Sequence, residues 1–255
     1  VELQIDVNGD KADIAGSGML GGGKLDISGQ AVLRPEPQMK LSLVGSRHQL
    51  LIPPTVQMLV SENLQLSVRG ESLDIRGDIQ VHEGILEQDA LPEGSVDISP
   101  DVVMVDYSGN VVSRAKVFNT SMDIGLLIEN KFRIVGDMVD ATVGGDLRLS
   151  QAAGQPLQVF GNLNVLGGEL RTYQQLLRVK RGTISFAGNP KNPELDVRAQ
   201  REISAERITV GVAVQGTLNE PRLDVFSDPV MPQGETMSYL VRGRGLDSGA
   251  NSDGM

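Results

Sequence analysis

The chain has 255 residues, a formal net charge of −10 and no cysteine. The acidic excess excludes the basic stripe that nucleic-acid binding calls for, and it works against adhesion to anionic membrane surfaces. The missing thiols exclude disulfides, thiolate zinc sites and cysteine nucleophiles. Hydrophobic residues at 40% suffice for a core, whereas aromatics at 3% and no tryptophan leave Leu, Val, Ile and Met to line whatever apolar surface forms.

The chain opens on an alternating run, Val1, Leu3, Ile5 and Val7, which reads as a strand entered midway and so as part of something longer. Turns follow at Asn8-Gly9-Asp10 and Gly21-Gly22-Gly23. The same period-two beat returns in Leu64, Leu66 and Val68, in Met122, Ile124, Leu126 and Ile128, and in Leu195, Val197 and Ala199. It is clearest in Ile208, Val210, Val212 and Val214, interleaved with Thr209, Gly211, Ala213 and Gln215. Successive side chains of a strand point to opposite faces, so each run presents one apolar and one wet face. A loose unit, glycine then an alternating strand then a glycine turn, recurs at Gly77–Gly84 and Gly161–Gly168, and Gly144-Gly145 reads as further punctuation. This repetition suggests a quasi-linear stack of sheet. Strand-like runs at intervals of about 8–14 residues predict about 18–22 strands and a sheet of roughly 90–100 Å, which must coil, fold over or pair.

Helix candidates are few. Arg171–Arg181 and Ala199–Arg207 lack Gly and Pro but fit neither period cleanly; Pro232–Arg242, after the Asp228-Pro229 break, is the best. Beyond Gly243 the composition reads as a flexible tail. No apolar run reaches the roughly 18 residues that a membrane-spanning helix needs.

The sequence shows no catalytic constellation. His48 and His82 are the only histidines, and His82-Glu83 reads as an outer-face polar pair beside a turn. Gly16-Ser17-Gly18 lacks the strand-to-helix elbow of a hydrolase nucleophile. Gly18–Lys24 resembles a phosphate loop in glycine content but has no Ser or Thr after the lysine and no helix following, so a β-turn is expected. Asp6 with Asp10, and Asp137 with Asp140, lack the acidic ladder of a calcium loop. No cofactor or metal is expected.

The apolar face therefore carries the functional question. Packed against a second sheet it would be a dry core; left open along a fold it would be an aliphatic trough able to solvate acyl chains.

Three segments carry a family likeness. These are Pro92–Val105, then Gly182–Gly188 with Asn192–Ala199, then Gly216–Pro229 followed by Glu235, Ser238, Tyr239, Leu240, Gly243 and Arg244. In this order they resemble the TamB C-terminal domain family. The resemblance implies an all-β fold: a long, folded-over β-sheet (a β-taco) with an open aliphatic groove, and one short C-terminal helix. It also implies kinship with AsmA-like lipid-transport proteins, a periplasmic segment of an inner-membrane-anchored protein in a Gram-negative bacterium, and an Omp85-type barrel partner, TamA. Family members begin with an anchor and a long upstream β-region and continue past the helix, neither of which is present here, so the barrel-docking segment is expected to be missing.

The resulting expectation is a non-enzymatic segment that carries phospholipid acyl chains between the inner and outer membranes. The groove would run over residues 1–226, with a helical segment at 227–244 and a tail at 245–255. Lining residues are Ile184, Phe186, Leu195, Val197, Val210, Val212, Val214, Leu223 and Val225, a set that a one-residue register slip would invert. Met237, Tyr239 and Leu240 are expected to plug a sheet end or edge, or to meet a partner. The alternative is a scaffold for outer-membrane protein assembly acting by strand augmentation.

Overall fold

A computed structural model describes residues 2–52, 55–88, 118–172 and 175–246. The strands, in chain order, are β1 (Glu2–Asn8), β2 (Lys11–Leu20), β3 (Gly23–Val32), β4 (Gln38–Ile52), β5 (Val56–Arg69), β6 (Ser72–Gln88), β7 (Asn119–Gly136), β8 (Val139–Gln151), β9 (Gln158–Thr172), β10 (Gln175–Gly188), β11 (Glu194–Ile203), β12 (Ile208–Thr217) and β13 (Glu220–Asp228). The helix α1 (Gln233–Arg242) follows. All thirteen strands lie in one sheet in unbroken sequence order, and β1 and β13 do not pair, so the sheet is not closed into a barrel. Among the described strands only the β6–β7 junction is parallel, so two antiparallel meanders stand side by side. At about 4.8 Å per strand the sheet is roughly 60 Å wide.

The thirteen strands of the described residues are longer than the sequence suggested, reaching 18 residues in β7. Of the two segments weighed as helices, the described residues of Arg171–Arg181 lie in β9 and β10, and Ala199–Arg207 covers the end of β11 and the turn after it. The helix expected over Pro232–Arg242 is α1, with Pro232 as its N-cap, and Gly243 closes it in the left-handed conformation. The glycine-rich Gly18–Lys24 segment is the β2–β3 hairpin. Pro92–Val105 and residues 247–255 lie outside the described residues.

The register gathers the apolar half of every strand onto one face. One cross-strand row runs Leu3, Gly16, Ile27, Leu43, Leu64, Gly77, Ile124, Leu149, Val159 and Gly188. A second runs Met58, Gly84, Phe132, Val143, Val165, Gly182, Val197, Val214 and Leu223. Cross-strand pairs are the unit of sheet stabilisation, and here nearly every pair on this face is aliphatic or aliphatic–glycine.

Two devices bend the sheet. Register shifts sit at Gly45/His48, Leu59/Val60, Val81/Gly84, Ile128/Phe132, Thr142/Val143 and Val179/Arg181, so bulges line up along the middle of β4 to β11. Each bulge kinks its strand and increases the local twist; aligned, they make a crease. Glycines on the apolar face allow close strand approach. At Gly77, φ is 140° and a Cβ would stand 2.0 Å from the Asn63 carbonyl oxygen, a position that only glycine can hold. Val60, Val81, Ile128, Val143 and Leu163 are buried along the crease. The side chains packed on them, among them Met58, Ile79, Leu126, Phe132 and Ile184, project from the same face. On the opposite face Arg198 stacks 3.8 Å from the centre of the Phe226 ring, which lies over Gly211 and braces β11 to β13.

Candidate functional site

The candidate site is the apolar face itself. All nine residues expected to line it share that face by register: Ile184 opposite Leu195, Val197 opposite Val214, Val214 opposite Leu223, Val212 opposite Val225, with Phe186 opposite Gly161 and Val210 opposite Ser227. They differ in what covers them. Leu223 is exposed, and Ile184, Phe186, Leu195, Val197, Val214 and Val225 are half-buried. Val210 and Val212 are buried in a cluster with Leu177, Ala199, Tyr239 and Leu240.

That cluster is made by α1, which lies on the apolar face at the β12–β13 end. Tyr239 and Leu240 point into the sheet, while Met237 is exposed on the helix. The helix is fastened at both ends. At its start Thr236 donates to Ser227 Oγ at 3.3 Å and Met231 N–H donates to the same oxygen at 3.0 Å. At its end Gln175 Nε2 donates to the Val241 carbonyl at 3.3 Å, and Arg201 in turn donates to Gln175. The Tyr239 hydroxyl donates to Glu206, and this bond, then burial, pushes its pKa up to about 12. Glu235 in the first turn and Arg242 in the last complement the helix dipole.

Three titratable side chains on the described strands project from the apolar face: His48 (opposite Val60), Glu62 (opposite Gly45 and Ile79) and Arg201 (opposite Val210). Arg201 is engaged at the end of α1. His48 and Glu62 face each other across 3.6 Å with side chains only 5% and 10% exposed, and neither His48 Nδ1 nor Glu62 Oε2 has a hydrogen-bond partner. Burial pushes the Glu62 carboxyl above the usual carboxylate range, against the attraction of His48. Sequence reasoning missed Glu62. Within Ser61-Glu62-Asn63 nothing marks the middle residue as inward except the spacing of Val56, Met58, Val60, Leu64, Leu66 and Val68 around it.

The wet face carries its own line of polar groups across the crease. Arg47 N–H donates to Ser61 Oγ at 3.0 Å, Ser61 Oγ meets His82 Nε2 at 2.8 Å, and His82 Nδ1 meets Glu129 Oε1 at 2.9 Å. Gln80 Nε2 completes the set at 2.7 Å from Glu129 Oε1. The hydrogen bonds from His82 and Gln80 hold the Glu129 carboxyl below its usual range. His82 therefore points outward as expected, but its acidic partner is Glu129 rather than Glu83. The order serine, histidine, carboxylate is that of a hydrolytic triad, yet Ser61 Oγ accepts the backbone N–H at Arg47, where the bulge breaks the ladder. The line ties β4, β5, β6 and β7 together at the crease. Among the described residues no group of three or more His, Asp or Glu could hold a metal ion, and no helix is long and apolar enough to cross a membrane.

Comparison with known proteins agrees with this architecture. The sequence profile of the TamB C-terminal domain matches residues 15–255. The translocation and assembly module subunit TamB of Haemophilus influenzae is 28% identical over 222 residues, covering 82% of this chain and 17% of that protein. The chain thus spans about a sixth of that relative's length. On the match across residues 15–255, the chain belongs to the TamB C-terminal domain family.

Proposed function

We propose that the apolar face is a conduit for phospholipid acyl chains, within a protein that bridges the inner and outer membranes of a Gram-negative cell. The observation that carries this reading is the continuity of the face. Aliphatic side chains follow one another from β1 to β13, and only α1, among the described elements, lies across them. Transfer from water is worth roughly 0.8 kcal/mol per methylene, so a ~16-carbon chain gains at most about 13 kcal/mol. A wall of similar small side chains spreads that gain over many equivalent positions, so a tail can slide without falling into one deep well. Acyl tails lie on the apolar face and head groups stay at its wet rim. The test is to place a charge on the face: Leu66→Asp blocks lipid carriage by the parent protein while the chain still folds, whereas Gln65→Asp, on the wet face, leaves it intact.

A second reading is favoured by β1. All seven of its residues are exposed, including Leu3, Ile5 and Val7, and its outer edge has no partner strand among the described residues. Such an edge is a template for strand addition. It fits a scaffold for outer-membrane protein assembly working with a TamA-type barrel, and the Haemophilus influenzae relative is named as a subunit of a translocation and assembly module. The two readings separate on Leu66→Asp, to which the scaffold is indifferent.

A further inference from the structure

On the lipid reading above, we propose that His48 and Glu62 form a head-group station in the wall of the conduit, selective for a primary ammonium group carried by a zwitterionic lipid. The alternation of β5 puts Val56, Met58, Val60, Leu64, Leu66 and Val68 on the apolar face and interrupts them once, with Glu62. A lone carboxylate among aliphatic neighbours costs free energy unless something compensates it. His48 stands 3.6 Å away, beyond hydrogen-bond range, and leaves Glu62 Oε2 and His48 Nδ1 without partners while both side chains are at least nine-tenths buried.

The fold provides a seat for the carboxylate. Gly45 lies opposite Glu62, and a Cβ there would stand 2.1 Å from Glu62 Oε1, so the carboxylate rests in the space that a side chain would fill. Gly45 immediately precedes the bulge at which the chain turns to bring His48 onto the same face. Swinging off Gly45, the carboxylate reaches into the conduit from a wall otherwise without charge among the described strands before Arg201.

The chemistry selects the ligand. With its Nε2–H turned toward Glu62, His48 offers a bare acceptor at Nδ1, and Glu62 offers a second. Two acceptors and one negative charge match a cation that carries N–H donors. A trimethylammonium group has the charge without the donors. A phosphoglycerol head has hydroxyl donors but a net negative charge, which Glu62 and the chain's net charge of −10 oppose.

The experiment incubates the full 255-residue chain with vesicles of equal parts phosphatidylethanolamine, phosphatidylcholine and phosphatidylglycerol bearing identical acyl chains, then re-isolates the protein and measures bound lipid by mass spectrometry. The expected result is enrichment of phosphatidylethanolamine over the other two on the order of tenfold, the yield of one charge-assisted hydrogen bond. Glu62→Gln brings that ratio close to one. Gly45→Ala, which displaces only the flexible end of Glu62, holds or raises it. Excess free phosphoethanolamine does not compete, because the acyl tail supplies most of the binding. Lipid bound without head-group preference, a preference that survives Glu62→Gln, or displacement by free phosphoethanolamine overturns the station but leaves the conduit standing. Absence of any bound lipid overturns both.

Discussion

Glu62 is held protonated more readily in the folded chain than in the unfolded one, because burial disfavours its charge. Between the ordinary carboxylate value and the raised one, the folded chain keeps a proton that the unfolded chain has lost. Stability conferred by this group is therefore full below that window and declines as pH rises through it. Denaturation midpoints across a pH series should show that decline in the wild type and a shallower one in Glu62→Gln; identical slopes would mean that Glu62 is not desolvated as described. Gly77 makes a second residue-scale case. Its φ of 140° and the 2.0 Å approach of the Asn63 carbonyl leave no place for a Cβ. Gly77→Ala should cost about 1–3 kcal/mol from backbone strain, with further loss from the displaced strand, read as a lower denaturation midpoint.

At the scale of elements, α1 is a cover resting on Val210 and Val212 through Tyr239 and Leu240. Truncating a buried leucine costs about 2–5 kcal/mol, far more than an exposed helix of ten residues can supply for itself. Leu240→Ala should release α1 selectively, seen as faster amide exchange in Gln233–Arg242 with little change in β5 to β8. A photoreactive residue at Val212 should be shielded from lipid in the wild type and become reactive in the Leu240→Ala background. Equal reactivity in both would show that α1 does not cover the face.

The elements also show what the sequence could reveal. Period two was visible wherever a strand ran unbroken, as in β12, and the Pro232 start of α1 was legible from the proline and the preceding break. The length of the strands was not, because a bulge reverses the phase of the alternation. In β6 the apolar positions are odd up to Val81 and even from Gly84, so Gly84 looked like a turn although the strand continues to Gln88. Gly167-Gly168 looks like a turn for the same reason and lies within β9, where the apolar positions are odd up to Val165 and even from Gly168; Gly144-Gly145 lies within β8, whose alternation runs on unbroken. The bulge between Val179 and Arg181 hides β10 behind a pattern that fits neither helix nor strand. The candidate site follows the same rule. The nine residues expected to line it came from alternating runs and share one face, but the cover over Val210 and Val212 depends on long-range docking. Likewise, the inward turn of His48 depends on a bulge that leaves no local signature.

Over the whole molecule, open topology and one-sided apolarity belong together. A sheet of thirteen strands that ended in a barrel or a sandwich would consume its apolar face as core. Here the ends stay apart, and exposed Leu3, Ile5 and Val7 at one end, with Leu223 at the other, leave aliphatic surface uncovered at both. An acidic, dispersed outer face keeps such a molecule soluble along its length. The crease then sets how wide the apolar face opens, because its bulges occupy the middle of the longest strands. The most direct measurement of this account is in-cell photocrosslinking in the full-length parent protein, with a photoreactive residue replacing Leu66 on the apolar face or Gln65 on the wet face. The account predicts phospholipid adducts at Leu66 and none at Gln65. No adduct at Leu66, or equal labelling at the two positions, would contradict a lipid-bearing face.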